Sequence, residues 1–236
     1  MFVRGVAKGL ISNRISLFEE SPVVELYRDE KWIARTPTGR VRAKKVILAV
    51  NGHLESFGFM RGRLVHVHTF ASMTRALTHE EVEVLGGEAN WGITPADPMG
   101  TTVRRVSGVG GDRIVIRNRF SYDPNLEPGP KWQTKATEMH DRAFTARFPA
   151  LSSVSRDYRW GGRLCLAQNN VQVIGEIDEG LFAACVQNGL GTAKGTLAGL
   201  LAAEDACGVA SPALQRAKTA PGPSRLPPRP IAQIGA

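Results

Sequence analysis

Residues 183–208 read AACVQNGLGTAKGTLAGLLAAEDACG, and the role given to this stretch decides how the rest of the chain is organised. Gly189, Gly191 and Gly195 form G-x-G-x-x-x-G between an apolar run ending at Val186 and an apolar helical segment over 190–206. Glycines at a strand-to-helix turn let the backbone approach a ligand closely. The helix N-terminus behind them points free N–H groups at negative charge. A packing role is the alternative: Gly191, Gly195 and Gly199 recur every four residues and mark a helix face that can lie close to a sheet. A dinucleotide turn of the usual kind opens a β-α-β array, yet only the proline-rich residues 209–236 follow this helix. A Walker loop is excluded, because Lys194 precedes the third glycine and no G-K-S/T follows.

The chain has 236 residues, 42% of them hydrophobic and 22% charged, enough for one large domain or two small ones with a sizeable core. The net charge is +8, but Lys and Arg are scattered and not interleaved with aromatics, so nucleic acid is not expected as a partner. A basic surface that draws anionic substrates or a dinucleotide fits better. Neither a signal peptide nor an apolar run long enough for a membrane span is present, and a cytoplasmic location is expected. Cys165, Cys185 and Cys207 lie in apolar surroundings at no metal-like spacing and are expected to be buried thiols. No metal site is expected; His66 and His68 share a strand face without an evident third ligand.

Outward from the opening stretch, the pattern predicts an amphipathic helix over 2–11 and short strands through 14–50, the last being VILAV (46–50), apolar on both faces and expected to be central and buried. That strand ends at Asn51-Gly52-His53, the carboxyl end of a buried strand, where ligands favour α/β sheets. Strands are expected over 63–77, 91–94, 101–106, 113–120, 156–166, 171–175 and 181–186, with residues 107–112 as a hairpin loop. A helix is expected over 131–148, its stripe Trp132, Ala136, Met139, Ala143 and Phe144. From Ser211 the proline and basic content predicts a disordered tail.

Three segments carry a resemblance to a known family. LFEESPVVELYRDEKWIARTPTGRVRAKKVILAVNGH (17–53), TTVRRVSGVGGDRIVI (101–116) and YRWGGRLCLAQNNVQVIGEIDEGLFAACVQNGLGTAKGTLAG (158–199) resemble, in order and spacing, the carboxyl-terminal part of FAD-dependent oxidoreductases of the D-amino-acid oxidase type. That group includes glycine oxidase, sarcosine oxidase and γ-glutamylputrescine oxidase. The resemblance implies an α/β fold: part of an FAD-binding domain of the glutathione-reductase type (1–60), an antiparallel-sheet substrate domain (61–155), a return to the FAD domain (156–208) and the tail (209–236). The implied chemistry is oxidation of an amine or amino acid at a C–N bond, with hydride passing to flavin N5.

By the same resemblance, Val23 matches the position whose backbone meets the adenine, and Ala49, Asn51 and Gly52 match the turn beneath the dinucleotide. Gly189, Leu190, Gly191, Thr192 and Lys194 match the loop that closes over the pyrimidine end of the flavin. Arg163, one position from the family's carboxylate-binding arginine, and Arg104 are the candidate substrate contacts; since Arg104 and Arg105 alternate across a strand, at most one faces a cavity. Cys165 lies about one residue from the position where sarcosine oxidases attach flavin. The family's amino-terminal G-x-G-x-x-G has no counterpart here, so the chain is expected to lack roughly 150 residues of the family's length. A truncated sequence, a subunit completed by a partner chain and a non-catalytic remnant remain open, and an open sheet edge is expected in each case.

Overall fold

The computed structural model describes residues 2–11, 14–97, 100–123 and 130–228. It is a mixed α/β molecule with three sheets. Helix α1 (Phe2–Leu10) precedes an antiparallel three-stranded sheet, β1 (Glu25–Arg28), β2 (Trp32–Arg35) and β3 (Arg40–Ala43). Strand β4 (Val46–Leu48) leads into a 3-10 helix, Asn51–Phe57. Then come β5 (Leu64–Met73), α2 (His79–Leu85), β6 (Trp91–Ile93), β7 (Thr102–Val106), β8 (Arg113–Tyr122), α3 (Pro130–Arg147) and β9 (Tyr158–Ala167). The chain closes with β10 (Val173–Asp178), β11 (Leu181–Cys185), α4 (Gly191–Cys207) and α5 (Pro212–Thr219).

The largest sheet has the order β6-β7-β8-β5-β9 and is antiparallel throughout. Strand β9 pairs with β5 from Leu64↔Ala167 to Met73↔Tyr158, so the chain rejoins the other layer only with β10 and not at residue 156. One face of this sheet is covered. Helix α3 turns Ala136, His140 and Phe144 inward, and Phe144 packs with Val103, Ile114, Ile116 and Leu151 in a buried cluster. At the other end of the same face, Leu54 of the 3-10 helix joins Leu64, Cys165 and Ala167 in a second cluster, which continues through Leu48, Leu181 and Cys185 into the sheet β10-β11-β4. Helix α4 lies on that sheet through Ala198 and Ala202 against Ala184 and Ile174. The glycine face expected to approach the sheet does not do so: a Cβ on Gly191 or Gly199 would meet nothing within 4 Å and one on Gly195 only the Gln187 side chain, and the helix packs through its alanines instead. That contact coexists with whatever the turn before the helix does.

Several expectations need correction. VILAV is an edge strand here. It pairs with β11 alone, and Ile47 is 42% exposed. Its Val46 and Leu48 side is covered by the buried cluster, while among the described residues nothing buries the Ile47 side. Residues 40–50 split at Lys44-Lys45 into two strands of different sheets, and residues 14–20 form no strand, leaving Leu17 and Phe18 exposed. The expected disordered tail contains α5: Ser211 Oγ caps Leu214 N–H at 3.1 Å, Pro212 occupies the first turn, and Leu214 is buried. Beyond it, Leu226 N–H reaches Gly62 O at 2.9 Å; residues 229–236 lie outside the described residues. Cys165 and Cys185 are buried as expected, but Cys207 is exposed. No single helix among the described residues is long and apolar enough to cross a membrane; one bent pair, α4 with α5, passes on length and composition only.

Candidate active site

Strained backbone concentrates where β4 and β11 end. Asn51 (φ 49°), Val186 (φ 64°) and Asn188 (φ 51°) are left-handed non-glycine residues, followed by Gly189 (φ 80°). For Val186, β-branched and fully buried, that conformation is an outlier that persists only when its surroundings over-determine it. The surroundings do so. Val186 N–H donates to Asn51 Oδ1 at 3.1 Å, and Ala167 N–H donates to Asn188 Oδ1 at 2.7 Å. The Asn188 amide nitrogen donates to Val171 O at 2.9 Å and Val186 O at 3.1 Å. The ends of β4, β9 and β11 are therefore tied to one another by two asparagine side chains.

Helix α4 starts from this knot without a side-chain cap at Leu190, so the first N–H groups, from Gly191 on, have no partner inside the helix. Gly189, Leu190, Gly191 and Thr192 are exposed, and a Cβ built on Gly189 or Gly191 meets nothing within 4 Å. An open backbone ledge at a helix N-terminus can accept negative charge or hydrogen-bond acceptors on a ligand. Of the candidates after β4, Asn51 is bonded to this knot, Gly52 is buried against His66 and Cys165, and Ala49 is exposed. Lys194 is turned aside: its Nζ is 3.4 Å from Asn170 Oδ1, and its carbonyl accepts from Gln172. Val23 lies next to β2, where Val24 N–H reaches Arg35 O at 2.9 Å, and shares no hydrogen bond with the knot among the described residues.

The uncovered face of the large sheet carries a cavity of about 300 Å³. Its floor is Val67 and Thr69 of β5 with Leu164 and Leu166 of β9; the loop after β6 brings Asp97 and Gly100 over it. Because β9 ends at Ala167, which is bonded to Asn188, the floor runs toward the Gly189 ledge. The third wall is a β-bulge. Thr69 pairs with Phe120 and Ala71 with Arg117, so Asn118 and Arg119 together oppose Phe70. Arg119 has φ 66°. The extra residue puts Arg117 and Phe120 on the same face, the cavity's, which strict alternation would not do.

Behind the bulge, a buried polar chain holds it. His140 Nδ1 lies 2.7 Å from Ser72 Oγ, which accepts from Arg159 at 3.2 Å; Asp141 accepts from both Arg159 and Arg156. His140 Nε2 lies 3.2 Å from Asn118 O and 3.3 Å from Asn118 N, so both ring nitrogens are engaged, one by Ser72 and the other by the backbone of the bulge. Burial holds His140 below the ordinary histidine range, and the Arg159 charge adds to this.

Register decides the fate of the two candidate arginines. Arg163 pairs with His68 while Leu164 pairs with Val67, so Arg163 lies on the face away from the cavity, where its Nη1 is 3.2 Å from His53 Nε2. Leucine occupies the cavity-facing position beside it. Arg105 turns inward to Asp112 and to the carbonyls of Gly86 and Gly87. Arg104 takes the outer face, leans on Gly92 and does not line the cavity. The arginines that do line it, Arg117 and Arg119, carry no signal in the sequence beyond the polar Asn118 between them at what should have been an inward position.

His66 is a core histidine. Its Nε2 is 2.5 Å from Glu55 Oε2, and Glu55 Oε1 accepts from Gly62 N–H at 2.8 Å. The pair ties the 3-10 helix to the sheet. Among the described residues no group of three His, Cys, Asp or Glu forms a metal site. Next to it, Cys165 is 1% exposed and its thiol is pushed up to about 12, mainly by burial. A thiol without thiolate does not alkylate. Iodoacetamide on the folded chain is therefore expected to modify Cys207 alone, with Cys165 and Cys185 reacting only after denaturation; peptide mass mapping reads this directly.

A family model, FAD dependent oxidoreductase (DAO), matches residues 1–205. The chain belongs to that family. It is 24% identical over 209 residues to the probable oxidoreductase OrdL of Haemophilus influenzae, a match covering 85% of this chain and 44% of that one. Among solved structures, glycine oxidase from Geobacillus kaustophilus matches with a TM-score of 0.63 and 17% identity, over 84% of this chain and 50% of that one. L-proline dehydrogenase from P. horikoshii matches with a TM-score of 0.62 and 16% identity, over 84% and 53%. The chain thus has the FAD-dependent oxidase fold and spans about half the length of the relatives it matches.

Proposed function

We propose that this chain supplies the substrate sheet and the flavin-ring ledge of an FAD-dependent oxidoreductase that oxidises an amine or amino acid at a C–N bond. The observation that carries the reading is the Asn51–Val186–Asn188 knot, which holds the start of the Gly189–Thr192 ledge and ties it to β9, the strand whose Leu164 and Leu166 line the cavity. FAD, when bound, supplies the acceptor for the hydride that leaves the carbon bearing nitrogen. The residues of this chain do the rest. The N–H groups at the start of α4 stabilise negative charge at the ring's polar edge. Thr69, Leu164 and Leu166 form a dry floor that excludes water and orients the substrate.

A second reading is favoured by one specific observation. The β4 edge and the apolar residues Phe2, Val3 and Phe18 are exposed. Such surface suits cover by a nucleotide-binding segment, whether supplied by a partner chain or in continuous sequence. The test of both is an absorption spectrum of the purified chain with added FAD. Flavin bands near about 450 nm that survive gel filtration support binding by this chain alone. A colourless chain that gains the bands only with a nucleotide-binding partner supports the second reading, and one that never does so sinks both.

A further inference from the structure

The last described stretch of the chain runs back across the base of the site. Residues 221–228 follow α5 without regular structure, yet the side chain of Pro223 is fully buried. On one side Arg63 Nη1 donates to Pro223 O at 2.6 Å, and Leu226 N–H donates to Gly62 O at 2.9 Å. On the other, the Asn169 amide nitrogen donates to Gly222 O at 3.0 Å, and Asn169 Oδ1 accepts from Ser224 N–H at 3.3 Å. Helix α5 fixes the near end of this strap to α4. Leu214 is buried, Ser211 Oγ donates to Glu204 Oε2 at 2.6 Å, and Lys218 Nζ donates to Asp205 Oδ1 at 2.8 Å. A terminal segment is ordered only where its backbone is tied down, and this one is tied on both flanks.

The two segments that the strap joins both lead to the Asn51–Val186–Asn188 knot. Gly62 N–H donates to Glu55 of the 3-10 helix, and the first residue of that helix, Asn51, holds Val186 N–H. Asn169 sits in the turn between β9 and β10. In the same turn Val171 O accepts from Asn188, and Gln172 Nε2 donates to Lys194 O in the first turn of α4. We propose that residues 222–226 are a clamp that positions the ledge at the start of α4, with Arg63 and Asn169 as its two attachment residues. The inference rests on the reading of that ledge as the flavin-facing edge and deepens it by naming what holds the ledge in place. Val186 and Asn188 keep a left-handed backbone, which persists only while the surroundings enforce it. A restraint applied from outside, across both segments, keeps that backbone in place before any ligand arrives. Neither attachment residue lines the cavity; both are positioning residues that act through the knot.

The test is amide hydrogen exchange on the full chain. It needs no flavin, so its failure and the failure of the flavin reading are separate events. A clamp transmits restraint between its ends, so releasing one end loosens the other. Arg63→Ala is expected to speed exchange of Asn170 N–H, bonded to Ala167 O at 2.9 Å on the far side, and Asn169→Ala that of Arg63 N–H, bonded to Met60 O at 3.1 Å. Both should speed exchange of Val186 N–H in the knot by about tenfold, the scale of one or two lost hydrogen bonds. The double variant should exchange no faster than the faster single one, because either release opens the same clamp. Arg225→Ala, which removes an exposed side chain from the same strap, leaves the three rates as they were. Thr78→Ala, which removes the cap of α2 at a similar cost in stability, leaves them too. The proposal is overturned if each variant loosens only its own side, if the two effects multiply in the double variant, or if Arg225→Ala or Thr78→Ala speeds the three amides as much.

Discussion

Gly52→Ala is expected to destabilise the chain by about 1–3 kcal/mol through overpacking and to lower its melting temperature by roughly 2–4 °C for each of those. The new Cβ would stand 2.8 Å from His66 Nδ1 and 3.2 Å from Cys165 Cβ. Neither neighbour can yield. The imidazole is held at its other nitrogen by Glu55, whose second oxygen is held by Gly62 N–H, and Cys165 sits in the middle of β9, paired with His66. The 3-10 helix must therefore lift from the sheet, carrying Asn51 away from Val186 N–H. Loss of that bond removes the restraint on a strained valine, so flavin retention should fall further than stability alone predicts. Gly39→Ala is the control, since no heavy atom lies within 4 Å of its Cβ and its φ is not positive; it should stay within about 0.5 kcal/mol. Thermal melts of the two variants decide the matter, and equal melting temperatures would show that the close approach at Gly52 is not a constraint.

Much of the fold was legible because strand and helix periods differ. The alternation in RLVHVHTFASM and the stripe through Ala136 and Phe144 placed β5 and α3 correctly, and the Gly-rich stretch did sit on a strand-to-helix turn. What failed has physical causes. VILAV reads as buried on both faces because its residues are all apolar, but composition does not report position in the sheet: β4 lies at an edge, with Leu48 buried and Ile47 facing out. The Ser211-Pro212 pair carries a cap and a helix-starting proline, but the proline content around it argued for disorder. Helix α2 went unread although Thr78 and Glu81 form a capping box, with Arg75 gripping Glu81 through two 2.7 Å bonds. The arginine misassignment is a register effect: one position along β9 is the other face of the sheet. Arg117 was hidden for a related reason. Up to Ile116 the apolar residues of β8 keep to even positions. The bulge then shifts the parity, so Arg117 and Phe120 share a face that a period of two would deny them.

His140→Leu is expected to be the most damaging single change in the sheet's support, on the order of 3–5 kcal/mol for breaking a buried network. Leucine fills the space but leaves the Ser72 hydroxyl and the Asn118 carbonyl without their partner in a buried site. The second loss reaches the cavity wall, since the bulge that carries Arg117 and Phe120 is anchored there. His140→Gln, whose amide can reach the Nε2 position, should recover part of the stability that the leucine variant loses, as read by thermal melts of the two variants. The same residue sets an acid limit. Its folded pKa is depressed by burial, so the unfolded chain takes up the proton first as pH falls. The stability held by neutral His140 is complete above its unfolded value of about 6.5 and is lost as pH drops below it toward the folded value, with a slope of at most about 1.4 kcal/mol per pH unit. Urea unfolding between pH 7 and pH 5 should show that slope in the wild type and lack it in His140→Gln. A wild-type stability that is flat across this interval would mean His140 is protonated as easily in the fold as outside it, and its burial would not set the acid limit.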